Sequence, residues 1–496
     1  MSIHSMGRRE MLLGMSGALG AMAVGSTMVR AATDRAGSTG DAARKLLFVL
    51  CGYGGASIVD SFLPLSRSEV DDDALADGLN VYEDAEIVVP AGSNIRSPAY
   101  SDSAGLLAGI YQAGYYVSDF VAKHHRSMTV LTQECTSVNH QVAQARSLNG
   151  NGINAGRTLM EAMAIRHGED LILPNCNMGV DGFIQPGWDA SIPSFARAEI
   201  VSAPMGFAAA MDGMKGVLGL PDRELVQHAR GVRDRLDDAS PFGKTFVDSP
   251  LRRGFLEDRR ERLPRLEEAQ LVDPLTMLPA EMLDPKYGIT SSPLLPTLLG
   301  RLPDMHVNSW QAQAALSVLL SYYGLSCATT ISLQQEPVFS DGELATAPVA
   351  FDFAHVDHRL AQQLMWGALL EVADALIDLL KELDYLGDPS LGKMWDRSLI
   401  YVATDFGREK TRPVGAPFWG TAHALNNGTL LMSPLLQGNR VFGGIDPATC
   451  TTFGFDGTTG EADPSLRCDE GHIYSAVAHA LDIDFDSRHD MSALLA

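Results

Sequence analysis

Carboxylate and imidazole side chains stand close to the ends of several short apolar runs in the sequence. In an open parallel α/β sheet, ligands bind outside the carboxyl ends of the strands, so residues that follow a strand are the first candidates for chemistry. Oxygen and imidazole donors together suit a divalent ion such as zinc, manganese or calcium. The candidate metal ligands of this kind are Asp60, Asp352, His355, Asp405 and His423.

Four further side chains could act beside such an ion. Arg408 can bind an oxyanion through two parallel N–H groups, and His140 can position the same group. Thr136 and Ser137 follow a predicted strand and precede a predicted helix, where the helix dipole stabilises an oxyanion nucleophile. These two hydroxyls are equally typical of helix N-caps, and Ser57 is a weaker candidate nucleophile. A divalent ion nearby could hold a phosphate or sulfate oxygen and activate an attacking hydroxyl.

Each of these residues also has a purely structural interpretation. A single histidine before a helix is often a cap or a core residue, which applies to His355 and to its neighbour His358. Asp405 can cap a loop, and Asp60 can close the Gly-rich turn before it. The chemical interpretation therefore requires side chains that are distant in the chain to meet at one rim of the sheet.

The elements that would position these side chains alternate along the chain. Apolar runs predict strands, and longer segments with helical periodicity lie between them. This alternation predicts an α/β fold with a mostly parallel central sheet and helices on both faces. The predicted strands are 45–50, 128–133, 171–174, 327–333, 398–404 and 429–432, and the predicted helices are 103–123, 156–167, 309–323, 360–383 and 473–481.

The length of 496 residues is large for one ordinary domain and suggests an interrupted one. Residues 210–305 are rich in charge and proline, which predicts an inserted helical subdomain or cap. The predicted main domain then comprises residues 46–209 and 306–496, preceded by a polar linker at 32–45.

The first 31 residues have the three parts of a secretory signal. Arg8 and Arg9 precede an uncharged apolar run from Met11 to Val29, and small residues flank Arg30 at a predicted cleavage site. Residues 1–31 are therefore predicted to be a twin-arginine signal peptide, which makes the twin-arginine translocase a partner and the periplasm or the exterior the destination. The sequence contains no second long apolar run, so no membrane span is predicted in the mature chain.

The formal net charge of −23 argues against nucleic acid or an anionic membrane as a partner. It still permits a small anionic ester as substrate, because a metal ion or an arginine can reverse the field inside a cleft. The six cysteines include no CxxC pair, which argues against a cysteine zinc site. An oxidising compartment would allow a disulfide, and Cys450 with Cys468 is the favoured pair.

Four segments resemble an exported bacterial family, domain-of-unknown-function family 1501, which is similar to the alkaline phosphatase and sulfatase superfamily. The resemblance covers about residues 45–205 and 345–490. Gly54 to Pro64 resembles the family's Gly-Gly-x-Ser-x-x-Asp-x-Phe-x-Pro. Its second block is matched by Arg126-Ser127-Met128, Asn139-His140, Leu148-Asn149-Gly150 and Gly156-Arg157. Its later blocks are matched by Asp405-Phe406-Gly407-Arg408, Gly420-Thr421-Ala422-His423 and Gly443-Gly444-Ile445-Asp446.

This resemblance implies an alkaline-phosphatase-like fold and a metal-dependent hydrolase of phosphate or sulfate esters. The chain departs from the pattern where Asp405 replaces a glutamate and Ala422 replaces an aspartate, and Phe351-Asp352 with His355 only approximates the family's Trp-Asp-x-His. The leading alternative is therefore a non-catalytic periplasmic binding or assembly protein with a degenerate site. A carbohydrate-active enzyme with paired carboxylates is a third possibility.

Overall fold

A computed structural model describes residues 43–99, 115–210, 223–262, 264–265, 269–334, 338–340, 343–346 and 349–496. The predicted signal peptide and residues 32–42 of the predicted linker lie outside these residues, as does the first part of the helix predicted at 103–123. Residues Arg44–Ala496 form one compact unit.

A mixed sheet of eight strands forms the centre of this unit. The strands are β1 (Leu46–Gly52), β2 (Met128–Glu134), β3 (Asn175–Met178), β4 (Glu199–Ile200), β5 (Ala328–Leu333), β6 (Ser398–Thr404), β7 (Asn426–Met432) and β8 (Arg440–Phe442). Their order across the sheet is β8-β2-β7-β6-β1-β5-β3-β4. Only β7 runs against its neighbours, β6 and β2, and the other pairs are parallel. The predicted α/β class with a mostly parallel sheet is confirmed.

The central strands are apolar because they are covered on both sides. Every residue of β1 is buried, as expected for a strand between two parallel neighbours in a sheet with both faces packed. The predicted strand at 398–404 coincides with β6. The prediction of a strand at 171–174 is wrong. The observed strand, β3, begins at Asn175, directly after Pro174, which has no N–H for a sheet hydrogen bond.

Nine helices of seven or more residues lie in the described part of the chain. They are α1 (Val117–His124), α2 (His140–Asn149), α3 (Leu159–His167), α4 (Arg223–Ala239), α5 (Pro250–Glu257), α6 (Leu295–Arg301), α7 (Ser309–Tyr322), α8 (His358–Glu382) and α9 (Glu470–Ala480). Shorter helices are Asp73–Gly78, Phe207–Ala210, Pro241–Thr245 and Val272–Leu275. Helices α4, α5 and α6 lie in the predicted insertion.

Four short antiparallel ribbons complete the strands. One of them pairs Gly407–Arg408 with His423–Ala424, so that Arg408 lies directly opposite His423. This ribbon places two predicted site residues side by side. The other ribbons pair Ile87–Val88 with Ser97–Pro98, Val338–Ser340 with Glu343–Thr346, and Gly444–Asp446 with Thr451–Phe453.

All six cysteines are buried free thiols, so the predicted disulfide between Cys450 and Cys468 is not formed. The two sulfur atoms donate to different backbone carbonyls, those of Asn80 at 3.7 Å and Phe455 at 3.8 Å. Across the described residues, none of the helices has the length and apolar character needed to cross a membrane.

Candidate metal centre

The candidate site lies at one rim of the sheet and is built from several segments. The loops after β2 and β6 carry His140 and Asp405 to this rim. Because β7 is antiparallel, its first residue, Asn426, pairs with Glu134, the last residue of β2. The start of β7 therefore lies at the same rim as the end of β2, and His423, which precedes β7 in the chain, lies there too.

Three histidine nitrogens surround one carboxylate oxygen at this rim. Asp352 Oδ1 lies 3.5 Å from His140 Nε2, 3.5 Å from His355 Nε2 and 3.9 Å from His423 Nε2. Ligand atoms around a tetrahedral ion with bonds near 2.1 Å are separated by about 3.4 Å. His140, Asp352 and His423 have ligand atoms that all lie within 4.8 Å of one another. The separations of Asp352 Oδ1 from the nitrogens of His140 and His355 are close to the tetrahedral separation, and its separation from His423 is longer.

Hydrogen bonds at Nδ1 orient the rings of His140 and His423, so that their Nε2 atoms face Asp352. His140 Nδ1 lies 2.6 Å from Asp405 Oδ2, and His423 Nδ1 lies 3.1 Å from the carbonyl oxygen of Val138. A carbonyl oxygen only accepts, so Nδ1 of His423 donates and its Nε2 keeps a lone pair. Partners of this kind orient most metal-binding histidines.

The rings of His355 and His423 approach each other closely. Their Nε2 atoms are 2.8 Å apart, and Arg408 Nη1 donates to His355 Nε2 at 3.2 Å. Two lone pairs facing each other at this distance repel, so a proton is needed between them, whereas two nitrogens bound to one tetrahedral ion would stand about 3.4 Å apart. Burial, followed by the charge of Arg408, lowers the pKa of both rings. This favours the unprotonated rings that a metal requires.

Arg408 lies at the site, but protein groups already occupy its donors. Its buried guanidinium donates from Nη2 to Asp352 Oδ1 at 3.0 Å and to the carbonyl of Phe351 at 3.1 Å, and from Nε to Gly55 at 3.0 Å. Arg408 therefore holds the Asp352 carboxylate in place and adds positive charge to the site.

Asp405 lies behind His140 and not beside Asp352. Its Oδ2 accepts hydrogen bonds from His140 and, at 3.1 Å, from Gln144 Nε2. Burial raises the pKa of Asp405, and the hydrogen bond with Asp405 raises the pKa of His140. The predicted ligand is thus placed as the partner of a histidine ligand.

Asp60 belongs to a separate buried cluster. Its Oδ1 accepts from Tyr82 at 2.6 Å and its Oδ2 from His358 at 2.8 Å, and Asn80 and Ser57 donate to the same carboxylate. Burial alone would raise the pKa of Asp60, but these partners, chiefly His358, hold it well below its usual range. The structure does not bring Asp60 to the other candidates, and Ser57 is fully buried beside it.

The two predicted hydroxyls lie in the loop before α2. The amide and hydroxyl of Thr136 donate to Glu470 Oε1 at 2.8 and 3.0 Å, and Arg146 Nη1 donates to the hydroxyl at 2.9 Å. Ser137 Oγ accepts from the amide of Asn139 at 3.1 Å. The N-cap of α2 is Asn139, so neither hydroxyl has the N-cap role considered for it.

Sequence reasoning missed Gln144 and Glu470. Gln144 lies four residues after His140 in α2, and this spacing puts both on one helix face, which is the signal that could have revealed it. Glu470 is the first residue of α9, and its contact with Thr136 joins distant parts of the chain.

Two other groups of potential ligands exist in the described part of the chain. The rings of His472 and His489 stack at 3.9 Å with an interplanar angle of 5°, so their in-plane lone pairs run parallel and do not converge on one ion. In the other group, Lys123 Nζ binds Asp374 at 2.6 Å and Asp378 at 2.9 Å. Arg408 engages Asp352 in the same way, but the centre around Asp352 is the strongest of the three because three histidine nitrogens lie within 3.9 Å of its carboxylate oxygen.

No family model, curated protein or solved structure matches the chain. The interpretation of the site therefore rests on its own geometry and on the sequence motifs.

Proposed function

We propose that the protein is an exported metal-dependent hydrolase of phosphate or sulfate esters. The observation that carries this proposal is the placement of His140, His355 and His423 nitrogens around the carboxylate oxygen of Asp352, at 3.5 to 3.9 Å. An alkaline-phosphatase-like arrangement of the sheet, a helical cap formed by residues 210–305, and export by the twin-arginine translocase are parts of the same proposal.

His140, Asp352 and His423, with His355 beside them, would hold one divalent ion. Imidazole nitrogens favour zinc over manganese and calcium, which prefer oxygen ligands. A bound ion would supply Lewis-acid stabilisation of the charge that develops on the ester oxygens. Asp405 would keep the His140 ring oriented, and Arg408 would keep Asp352 turned toward the histidines.

Thr136 is the favoured nucleophile. Its exposed side chain already donates to a carboxylate, and burial raises the pKa of Glu470, which makes that group a stronger base. In the proposed first step the Thr136 hydroxyl gives its proton to Glu470 and its oxygen bonds to phosphorus or sulfur, while the bond to the ester oxygen breaks and that oxygen takes a proton from water. The hydroxide left by that water would then bond to phosphorus or sulfur as the bond to Thr136 breaks, and Glu470 would return its proton to the Thr136 oxygen. The hydrogen bond between Val138 and His423 ties this loop to the centre.

A non-catalytic binding protein is the second candidate. Ala422 offers no ligand where the similar family has aspartate, and the donors of Arg408 are engaged by protein groups. Such a protein would bind a metal or an anion without turnover.

The experiment compares the purified mature protein with two variants, His423→Ala and Thr136→Ala, and with His472→Ala as a control outside the centre. Metal content and turnover of an aryl phosphate and an aryl sulfate are measured for each. We expect about one ion per chain in the wild type, loss of the ion in His423→Ala, and loss of turnover with the ion retained in Thr136→Ala. Retention of the ion by His423→Ala would refute the metal site. A wild type that holds the ion but has no turnover would favour the binding protein.

A further inference from the structure

Three buried side chains are linked in series beneath the candidate centre. Asp60 Oδ2 lies 2.8 Å from His358 Nε2, and His358 Nδ1 lies 2.9 Å from the hydroxyl of Thr421. Asp60 and His358 have no exposed surface, and Thr421 is 3% exposed. The series runs from the first loop of the sheet to a residue that stands two positions before His423.

The direction of the hydrogen bond between Asp60 and His358 follows from the chemistry of the two groups. The pKa of Asp60 is held low, so its carboxylate is ionised and accepts from His358 Nε2–H. His358 Nδ1 lies 2.9 Å from the Thr421 hydroxyl, which also donates to the carbonyl of Ala354 at 3.4 Å. The Thr421 hydroxyl is therefore held between the His358 ring, which Asp60 contacts, and the segment that leads to His355.

Thr421 holds two segments together. Its amide donates to the carbonyl of Ala354 at 2.9 Å, and the amide of His358 donates to the carbonyl of Trp419 at 2.7 Å. A Cβ atom on Gly420 would overlap the carbonyl of His355, so only glycine permits this approach. The segment before His423 is thus docked directly on the segment that carries His355.

We propose that Asp60 and His358 are positioning residues, which set the separation of His355 and His423 by holding Thr421. The effect on metal affinity rests on the proposed function, whereas the effect on the two rings does not. A carboxylate, a histidine and a hydroxyl in this order also occur in serine hydrolases. Here the burial of Thr421 keeps its hydroxyl away from a substrate.

The test uses Thr421→Val, which removes the hydroxyl and keeps the shape, and Thr421→Ser, which restores the hydroxyl. Thr129→Val is the matched control, because Thr129 is also fully buried and donates one hydrogen bond, to the carbonyl of Gln437 at 3.0 Å. Isotope-labelled histidine NMR of the metal-free full chain reports on the two rings, with signals assigned by His355→Gln and His423→Gln. Competition with a chelator measures the affinity for Zn²⁺.

We expect Thr421→Val to shift the signals of His355 and His423 and to weaken Zn²⁺ binding by about 10-fold, the lower end of the effect of losing a direct outer partner of a ligand, because Thr421 acts on the two histidines through the backbone. Thr421→Ser should keep both properties, and Thr129→Val should lose stability without shifting either signal. Unshifted signals in Thr421→Val would overturn the inference. If Thr421→Val does not fold, Asp60→Asn is subjected to the same measurement and the same criterion.

Two further outcomes separate this inference from the proposed function. If the wild type binds no Zn²⁺ but the ring signals shift as expected, the metal site fails and the positioning role stands. If turnover is lost in Thr421→Val while the signals and Zn²⁺ affinity are unchanged, Thr421 acts chemically and the positioning role is refuted.

Discussion

Replacing Asp405 by asparagine tests whether a buried carboxylate supports the centre through His140. Both hydrogen bonds that Asp405 accepts from side chains reach Oδ2, from His140 at 2.6 Å and from Gln144 at 3.1 Å, whereas Oδ1 is buried without a hydrogen-bond partner. An asparagine can place its carbonyl oxygen where Oδ2 stands and its amide nitrogen where Oδ1 stands. The variant therefore removes the charge and keeps the two hydrogen bonds.

The expected magnitudes for metal affinity and for stability differ. Loss of a charged outer partner of a histidine ligand weakens metal binding by about 10- to 100-fold, or about 1.4–2.8 kcal/mol. Burial raises the pKa of Asp405, so the folded protein gains when the charge is removed. The new amide lacks an acceptor, which costs about 1–3 kcal/mol. Because these contributions oppose each other, the Tm of the metal-free protein should change by no more than about 2–4 °C.

Chelator competition for Zn²⁺ and calorimetry of the metal-free protein measure the two quantities. Asp374→Asn is the control, because Asp374 also pairs with a histidine, His124, at 2.5 Å, outside the centre. Its Zn²⁺ affinity should equal that of the wild type. Equal Zn²⁺ affinities in Asp405→Asn and the wild type would refute the supporting role of Asp405. A loss of affinity together with a large drop in the Tm of the metal-free variant would also refute it, because the whole fold would then be affected.

Three further predictions concern pH and backbone geometry. The hydrogen bond with Asp405 raises the pKa of His140, so protons compete with Zn²⁺ for this ring at a higher pH than for an ordinary histidine. As the pH is lowered in a titration, Zn²⁺ affinity should therefore begin to fall while the pH is still above about 6.5, the ordinary histidine pKa. In Asp405→Asn the fall should begin at a lower pH. The folded-state pKa of Asp60 is lowered, so it contributes stability above about pH 3.9 that is lost as pH falls further; urea midpoints of Asp60→Asn should be lower at neutral pH and less dependent on acid. Gly54 has a φ of 90°, and a Cβ there would overlap the amide of Asp352, so Gly54→Ala should weaken Zn²⁺ binding by at least about 10-fold in the same competition assay.

The sequence predicts the fold class well because the central strands are covered on both sides. A strand such as β6 reads as a continuous apolar run, and its predicted and observed bounds agree. The direction of a strand is not encoded in such a run. Nothing in the pattern of β7 distinguishes an antiparallel strand from a parallel one, because both bury the same residues.

That missing direction matters for His423. The rule that ligands bind at the carboxyl ends of strands would place residues after Met432 at the site, had β7 been parallel. Because β7 is antiparallel, the residue before it reaches the rim. The prediction of His423 came from its motif and its residue type, and the geometry that brings it to Asp352 is different from the one assumed.

Position after a strand also does not tell which way a side chain faces. The sequence places three aspartates near the ends of predicted strands, namely Asp60, Asp352 and Asp405. Of these three, only Asp352 has a partly exposed side chain. The side chains of Asp60 and Asp405 lie in the interior and accept hydrogen bonds from His358 and His140. The difference depends on tertiary contacts, among them Tyr82 and Gln144, that local sequence does not contain.

The inward position of those two carboxylates determines the charge of the centre. If the proposed divalent ion binds, its charge, one ligand carboxylate and the guanidinium of Arg408 would give the rim a net positive charge. If Asp60 and Asp405 were ligands as well, their charges would cancel it. A positive rim attracts an anionic ester although the chain as a whole carries −23. Asp405 thus orients His140 from behind and stays outside the set of proposed ligands that a phosphate or sulfate would meet.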